Sequence, residues 1–272
     1  MSTLYVVATP IGNLADLTAR ATQILSGVPV VAAEDTRVTR KLLNHIGASP
    51  SLESLHEHTS PERLKSVVAR LGTGDMALVT DAGTPGISDP GSALVSEAVA
   101  KGHDVVPLPG PSAVSTALSV TGWAFDRFLF LGFLPRRQND RIGALQSAAT
   151  ESGPVVIYES PHRVKATLYD ISETLPDRQL VVSRELTKLY EEIFRGTASE
   201  AIAHFTDPRG EFVIVIEGTG QQPANEISDD EIIEAIRELK SQGLQGRTLV
   251  DRVVELTGAP KNRVYRLSLE SN

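Results

Sequence analysis

Short apolar runs alternate along this chain with stretches whose apolar positions recur at helical spacing. The runs Leu4 to Thr9, Val28 to Ala33, Met76 to Thr80, Asp104 to Leu108, Phe128 to Phe133, Val155 to Tyr158, Leu180 to Ser183 and Phe212 to Glu217 read as strands. Between them, Asp16 to Ser26, Arg37 to His45, Pro61 to Leu71, Ser92 to Lys101 and Arg163 to Thr174 read as amphipathic helices. Such alternation predicts an α/β architecture with mainly parallel sheets. Ser60 is a natural cap for the helix that Pro61 begins, because proline suits the first helical position. Gly27, Gly47, Gly72 and Gly102 follow helices, where a left-handed residue is expected.

The pattern also divides the chain. A boundary is expected near Thr121-Gly122-Trp123, giving an N-terminal α/β domain over 1–121 and a second α/β domain over 122–218. Residues 219–228 are poor in apolar side chains and read as a linker. A helical appendix over 229–272 follows, with patterns at Asp229 to Ser241, Arg247 to Thr257 and Pro260 to Leu269, and Ser228 as cap of the first.

Composition narrows the chemistry. The 272 residues contain no cysteine, which excludes disulfides, thiolate zinc sites and a catalytic thiol. Met1-Ser2-Thr3 runs straight into an apolar strand without the basic start and cleavage region of a secretory signal, and no apolar run approaches a membrane span; a cytoplasmic location is expected. The six histidines show no metal spacing. His56 and His58 are two apart with no third ligand nearby, so a solvated strand or loop and no metal are expected there. A net charge of −8 does not favour polyanion binding, although one cationic face can sit on an acidic body.

The richest segment is Asp81-Ala82-Gly83-Thr84-Pro85-Gly86-Ile87-Ser88-Asp89-Pro90-Gly91, which follows a strand and precedes a helix. Open α/β sheets gather ligands outside the carboxyl ends of their strands, and glycines let backbone approach a ligand closely. The loop lacks the Gly-Lys-Ser/Thr ending of a phosphate-binding P-loop. The near-match to a dinucleotide fingerprint at Gly72-Thr73-Gly74 precedes a strand and reads as a turn. Pro109-Gly110-Pro111-Ser112 sits at another strand-to-helix junction, with Ser112 as cap. Charged clusters mark three further strand ends: Glu34-Asp35-Thr36-Arg37, Glu159-Ser160-Pro161-His162-Arg163, and Arg184-Glu185 with Lys188, Glu191 and Glu192 behind. One such cluster reads as a weak surface ion pair, but three at the ligand-binding ends suggest a polar cleft.

Together, Leu4 to Asp16 (LYVVATPIGNLAD), Ala33 to Arg37 (AEDTR), Val79 to Gly91 (VTDAGTPGISDPG), Pro107 to Ala113 (PLPGPSA), Phe130 to Arg136 (FLGFLPR), Tyr158 to Arg163 (YESPHR), Arg184 to Glu192 (RELTKLYEE) and Gly210 to Gly218 resemble the tetrapyrrole methylase superfamily. The likeness is greatest to its ribosomal branch, the ribosomal RNA small subunit methyltransferase I family, and spans nearly the whole chain. It implies two α/β domains with a deep cleft, S-adenosylmethionine folded in that cleft, a homodimer, and methyl transfer to the 2′-hydroxyl of a cytidine in small-subunit (16S) ribosomal RNA. Carried over by motif, the cofactor would touch Pro10, Gly83, Thr84, Pro85, Ile87, Ser112 and Ala113, with Asp81 nearby, and Tyr158, Ser183 and Phe212 from the second domain.

For the reaction, Glu34, Asp35, Glu159, His162 and Glu185 are candidate bases that the sequence does not rank, and Arg37, Arg163, Arg184 and Lys188 read as phosphate or orientation residues. The tail resembles the helix-turn-helix appendix of the family. Lys261, Arg263, Tyr265 and Arg266 could hold phosphates and stack a base, and Arg136, Arg137 and Arg141 form a second basic candidate. Two alternatives remain: a precorrin or uroporphyrinogen methyltransferase sharing the cofactor site, and a DNA-binding regulator whose α/β part senses a ligand.

Overall fold

A computed structural model describes residues 2–56, 59–220, 229–257, 259 and 261–270. His58 and Ser228, and most of the expected linker, lie outside the described residues. One compact unit comprises Met1–Ala149 and Pro154–Glu217, and holds both sheets; the other comprises Thr150–Gly153 and Gly218–Asn272. Inclusion of residues 150–153 in the second unit was not foreseen from sequence. There, Thr219 N–H donates to the Glu151 carbonyl at 2.8 Å.

The first sheet has the order β3-β2-β4-β1-β5, formed by β1 (Thr3–Val7), β2 (Val30–Ala33), β3 (Ser51–Ser54), β4 (Met76–Val79) and β5 (Asp104–Leu108). All its pairings are parallel. Helices α1 (Ala19–Gly27), α2 (Thr36–His45), α3 (Pro61–Leu71) and α4 (Ser92–Ala100) cross between its strands, and a single 3-10 turn, Leu14–Asp16, precedes α1. Strand residues alternate strictly between two cores. Leu4, Val30, Ala32, Met76 and Leu78 pack with Val67, Leu71 and Leu94, while Val7, Val31, Ala33, Ala77 and Val79 pack with Leu25 and Leu43. Helices on both faces explain why these strands read as continuous apolar runs.

The second sheet departs from the expected parallel arrangement. Its order is β6-β7-β10-β8-β9, from β6 (Leu129–Phe133), β7 (Val155–Glu159), β8 (Gln179–Arg184), β9 (Glu192–Thr197) and β10 (Phe212–Ile216). Only β6 and β7 pair in parallel; β10 runs antiparallel to β7 and β8, and β9 antiparallel to β8. The cause is the connection from β8 to β9, residues 185–191. It has no crossover helix, so the chain must fold straight back. Helices α6 (Gln138–Ser147), α7 (Val164–Thr174) and α8 (Ala198–His204) cover one face. The other face receives α5 (Ala113–Ser119), which follows the first sheet: Val114, Ala117 and Leu118 pack on Val156, Val181, Val213 and Val215. Burying Val114 and Leu118 contributes roughly 1.5–3 kcal/mol apiece and sets the two sheets relative to one another.

Two glycine expectations fail. Gly72 has φ −62 and stays right-handed, and Gly27 is the last residue of α1; Gly47 and Gly102 are left-handed at φ 69 and 75. The turn at 72–74 is seen, with Thr73 and Gly74 N–H groups donating to the Arg70 and Leu71 carbonyls. In the second unit, α9 (Asp229–Ser241), α10 (Gly246–Thr257) and α11 (Lys261–Glu270) share a core of Ile232, Ile236, Val250, Val253, Val264 and Leu267. No helix among the described residues is long and apolar enough to cross a membrane, and no group of three or more His, Asp or Glu there could hold a metal.

Candidate active site

The 81–91 loop leaves β4 and turns back on the first loop. Gly83 and Thr9 exchange backbone hydrogen bonds at 2.9 and 3.0 Å. Left-handed backbone occurs at Gly83, Gly86, Ser88 and Gly91. At Gly91 (φ 136) a Cβ would stand 2.9 Å from the Leu78 side chain, so only glycine lets the loop end lie on the β4 core. Ser88 at φ 60 carries a side chain where few residues accept one.

This loop forms one wall of a cavity of about 430 Å³ between the sheets. Of the expected cofactor residues, Gly83, Thr84, Ile87, Ser112, Ala113, Tyr158, Ser183 and Phe212 line it. Pro10, Pro85 and Asp81 do not: both prolines are buried in the loop packing, and the Asp81 carboxylate accepts the Asp35 N–H at 3.0 Å, tying β4 to β2. Ser112 caps α5, its hydroxyl accepting the Ser115 N–H at 3.5 Å. Among the described residues no lysine or arginine lines the cavity, while Asp89, Glu159 and Glu211 do. Ser183 is fully buried, and its hydroxyl has no hydrogen-bond partner among the described residues. A buried polar atom without a partner is costly. Edge-on contacts with Phe130 and Phe133, at centroid distances of 5.0 and 5.6 Å, hold the Tyr158 ring. Burial, then the charge of Asp89, pushes its hydroxyl up to about 12, keeping it a neutral donor.

The structure separates the charged candidates. Glu159 is buried and engaged: its carboxylate accepts from the Ser160 N–H at 2.8 Å and the Thr167 hydroxyl at 2.7 Å, with Arg163 at 3.4 Å. Arg163 also donates to the Leu134 carbonyl at 2.6 Å, so this pair fixes the end of β7. Glu185 accepts from Lys188 at 2.8 Å and from the Glu211 N–H at 3.0 Å; Lys188 also reaches Glu211 at 2.8 Å. These contacts outweigh burial, holding the Glu185 carboxyl below and the Lys188 ammonium above its ordinary range. Arg184 pairs with Glu192 at 3.1 Å. Asp35 caps α2 and grips Arg37 at 2.6 Å; this hydrogen bond lowers its carboxyl to about 2. His162 is exposed and outside the cavity lining.

Arg141, expected at the RNA surface, is a correction. It is buried, its guanidinium 2.5 Å from Asp170 and 3.2 Å from the Arg136 carbonyl, so its donors serve the fold. Arg136 and Arg137 are exposed. In the appendix, Arg263 and Arg266 reach Asp229 at 2.7 and 3.9 Å, Lys261 pairs with Asp251, and Tyr265 is exposed. A groove of about 850 Å³ there is lined by Lys240, Arg247, Lys261 and Tyr265 and, among the described residues, by no acid.

Sequence reasoning missed Asp89. It lines the main cavity and also an adjoining one of about 490 Å³, which Glu34, His56, Thr59 and Ser92 help to form. Burial first, then the charges of Glu34 and Asp81, pushes its carboxyl up to about 7. The available signal was its place in the 81–91 loop, one residue before a proline and two before a glycine.

The family model for Tetrapyrrole (Corrin/Porphyrin) Methylases matches residues 3–202. "Ribosomal RNA small subunit methyltransferase I" of Synechocystis sp. is 44% identical over 274 residues, covering 99% of this chain and 98% of that protein. The protein of the same name from Thermotoga maritima is 45% identical over 221 residues, 80% of this chain and 99% of its own. Among solved structures, the methyltransferase CobJ shares the fold with a TM-score of 0.61 at 18% identity, over 80% of this chain and 95% of that one. Both the motif-bearing strand ends and these relatives carry one conclusion: the chain belongs to the tetrapyrrole methylase family and, within it, to the ribosomal RNA small subunit methyltransferase I family.

Proposed function

We propose that the protein transfers a methyl group from S-adenosylmethionine to the 2′-hydroxyl of a cytidine in small-subunit (16S) ribosomal RNA, acting as a cytoplasmic homodimer. The observation that carries this reading is the cavity lining. Acids without cations, apolar walls and an unpartnered Ser183 hydroxyl suit a positively charged sulfonium better than a polyphosphate. Its volume also lies in the range of small-molecule sites. Gly83, Thr84, Ile87, Ala113, Tyr158 and Phe212 would hold the donor. When bound, the donor supplies an activated methyl electrophile. The protein then contributes placement, which can be worth about 7–11 kcal/mol, and a proton acceptor, worth about 10²–10⁴-fold.

The acid-free appendix groove, with Lys240, Arg247 and Lys261 around Tyr265, suits phosphates and a stacked base, and supports ribosomal RNA over a tetrapyrrole. The test offers methyl-labelled S-adenosylmethionine with small ribosomal subunits, free ribosomal RNA or a porphyrinogen. Label on a ribose 2′-oxygen of the RNA is expected. Label in the porphyrinogen alone would transfer the assignment to tetrapyrrole methylation, and no transfer despite nucleic-acid binding would favour a ligand-sensing regulator.

A further inference from the structure

We propose that the cavity beyond Asp89 receives the acceptor sugar, and that Asp89 is the catalytic residue that takes the hydroxyl proton. This rests on the methyltransferase reading of the main cavity.

Asp89 is common to the two cavities. A group at that junction faces the methyl donor on one side and whatever occupies the second cavity on the other. Among the described residues, the polar lining of the second cavity is Glu34, Asp89, His56, Thr59, Ser88 and Ser92, with no lysine or arginine. Such a lining accepts hydrogen bonds from hydroxyls and amines and repels phosphate, so it fits a nucleoside and leaves the backbone phosphates outside. Asp89 makes no hydrogen bond or ion pair among the described residues, whereas Glu159, Glu185 and Asp35 are held by neighbours. An unpaired carboxylate at the junction can take a proton without breaking a structural contact. As the acceptor oxygen forms its bond to the methyl carbon, the carbon–sulfur bond breaks toward sulfur, leaving a neutral thioether, and the hydroxyl proton passes to Asp89.

The groups around Asp89 are Glu34 at the end of β2, His56 after β3, Asp81 after β4, Tyr158 and Glu159 on β7, and Glu211 before β10. Burial first, then the charges of Glu34 and Asp81, favours its protonated form, so a larger fraction is ionised, and able to act as base, as pH rises through about 7.

The test compares wild type with Asp89→Asn on small ribosomal subunits, measuring turnover from pH 5.5 to 9 and S-adenosylmethionine affinity by calorimetry. Turnover should rise with unit slope through about pH 7 in wild type, and Asp89→Asn should lose about 10²–10⁴-fold at pH 8 together with that rise. Donor affinity in Asp89→Asn should fall far less than turnover, because one of the three acids that line the cavity among the described residues loses its charge, and Asp89→Glu should restore part of the rate. A cavity-filling Ser92→Phe should raise the KM for RNA while sparing donor affinity. If wild type methylates no ribosomal RNA, the underlying reading fails. An active wild type with unchanged rate and pH profile in Asp89→Asn overturns the proposal alone. So does a pH rise lost in His56→Gln but kept in Asp89→Asn. Should Asp89→Asn not fold, carbon NMR of labelled Asp89 in the wild type decides: a carboxyl ionised well below pH 6 overturns the proposal, and one titrating near 7 supports it.

Discussion

Ser183 and Arg141 are both buried polar side chains, yet they place opposite demands on the fold. The Ser183 hydroxyl lacks a partner, and an unsatisfied buried group costs about 1–3 kcal/mol. Ser183→Ala should therefore leave the melting temperature unchanged or slightly raised, while donor affinity falls about 2–12-fold, the worth of one ordinary hydrogen bond. Thermal unfolding and calorimetry on the same sample check both halves, and a lowered melting temperature with intact affinity would make Ser183 a structural residue. Arg141 is already satisfied by Asp170 and two carbonyls. Arg141→Met leaves the buried Asp170 charge with the Gln138 amide but without its cation and should cost about 3–5 kcal/mol, with most of it recovered in Arg141→Met with Asp170→Leu. Urea unfolding measures it. A variant of full stability but weakened RNA binding would return Arg141 to the RNA surface. In the sequence Arg141 stood beside Arg136 and Arg137 as one of a basic trio. Nothing local to the sequence reveals that Asp170, on another helix, will bury it.

Elements were legible where their apolar pattern was strong and lost where polar side chains were buried in pairs. Pro61–Leu71 and Asp104–Leu108 match the expected spans because Ser60 and Pro61 mark a helix start and the β5 run is bounded by turns. β3 was not read, since Ser51–Ser54 is polar; its Glu53 is buried only because Arg63 and Arg70 reach over from α3. β9 was missed because Glu192 and Arg195 resemble a solvated strand end, and only pairing with β8 shows that Glu192 begins a strand. The second sheet's direction was misjudged for a related reason: apolar runs report burial on both faces and carry no information about strand direction. At the site, the glycine-marked loop was visible, but Asp89 was not, because its importance lies in two cavities that only the fold creates, one between the sheets and one among the loops of the first sheet.

At the scale of the molecule, a chain of net charge −8 must draw in a polyanion, and the distribution of charge shows how. The α/β unit lines its two cavities with acids and no lysine or arginine among the described residues, whereas the appendix lines its groove with Lys240, Arg247 and Lys261. Phosphate neutralisation releases counterions, so each cation that contacts RNA steepens the salt dependence by about 0.7–0.9 in log–log slope. Lys261 is paired with Asp251, which also lies 3.7 Å from Arg247, but exposed pairs are weak and yield readily to a phosphate. Replacing Arg247 and Lys261 together with glutamine should lower RNA affinity and flatten the slope by roughly 1.4–1.8, with donor affinity unchanged. Filter binding of ribosomal RNA between 50 and 200 mM salt, on the order of the range where such contacts dominate, measures the slope. A slope that stays at the wild-type value would remove the appendix from the RNA interface and leave Arg136 and Arg137 as the remaining exposed basic candidates.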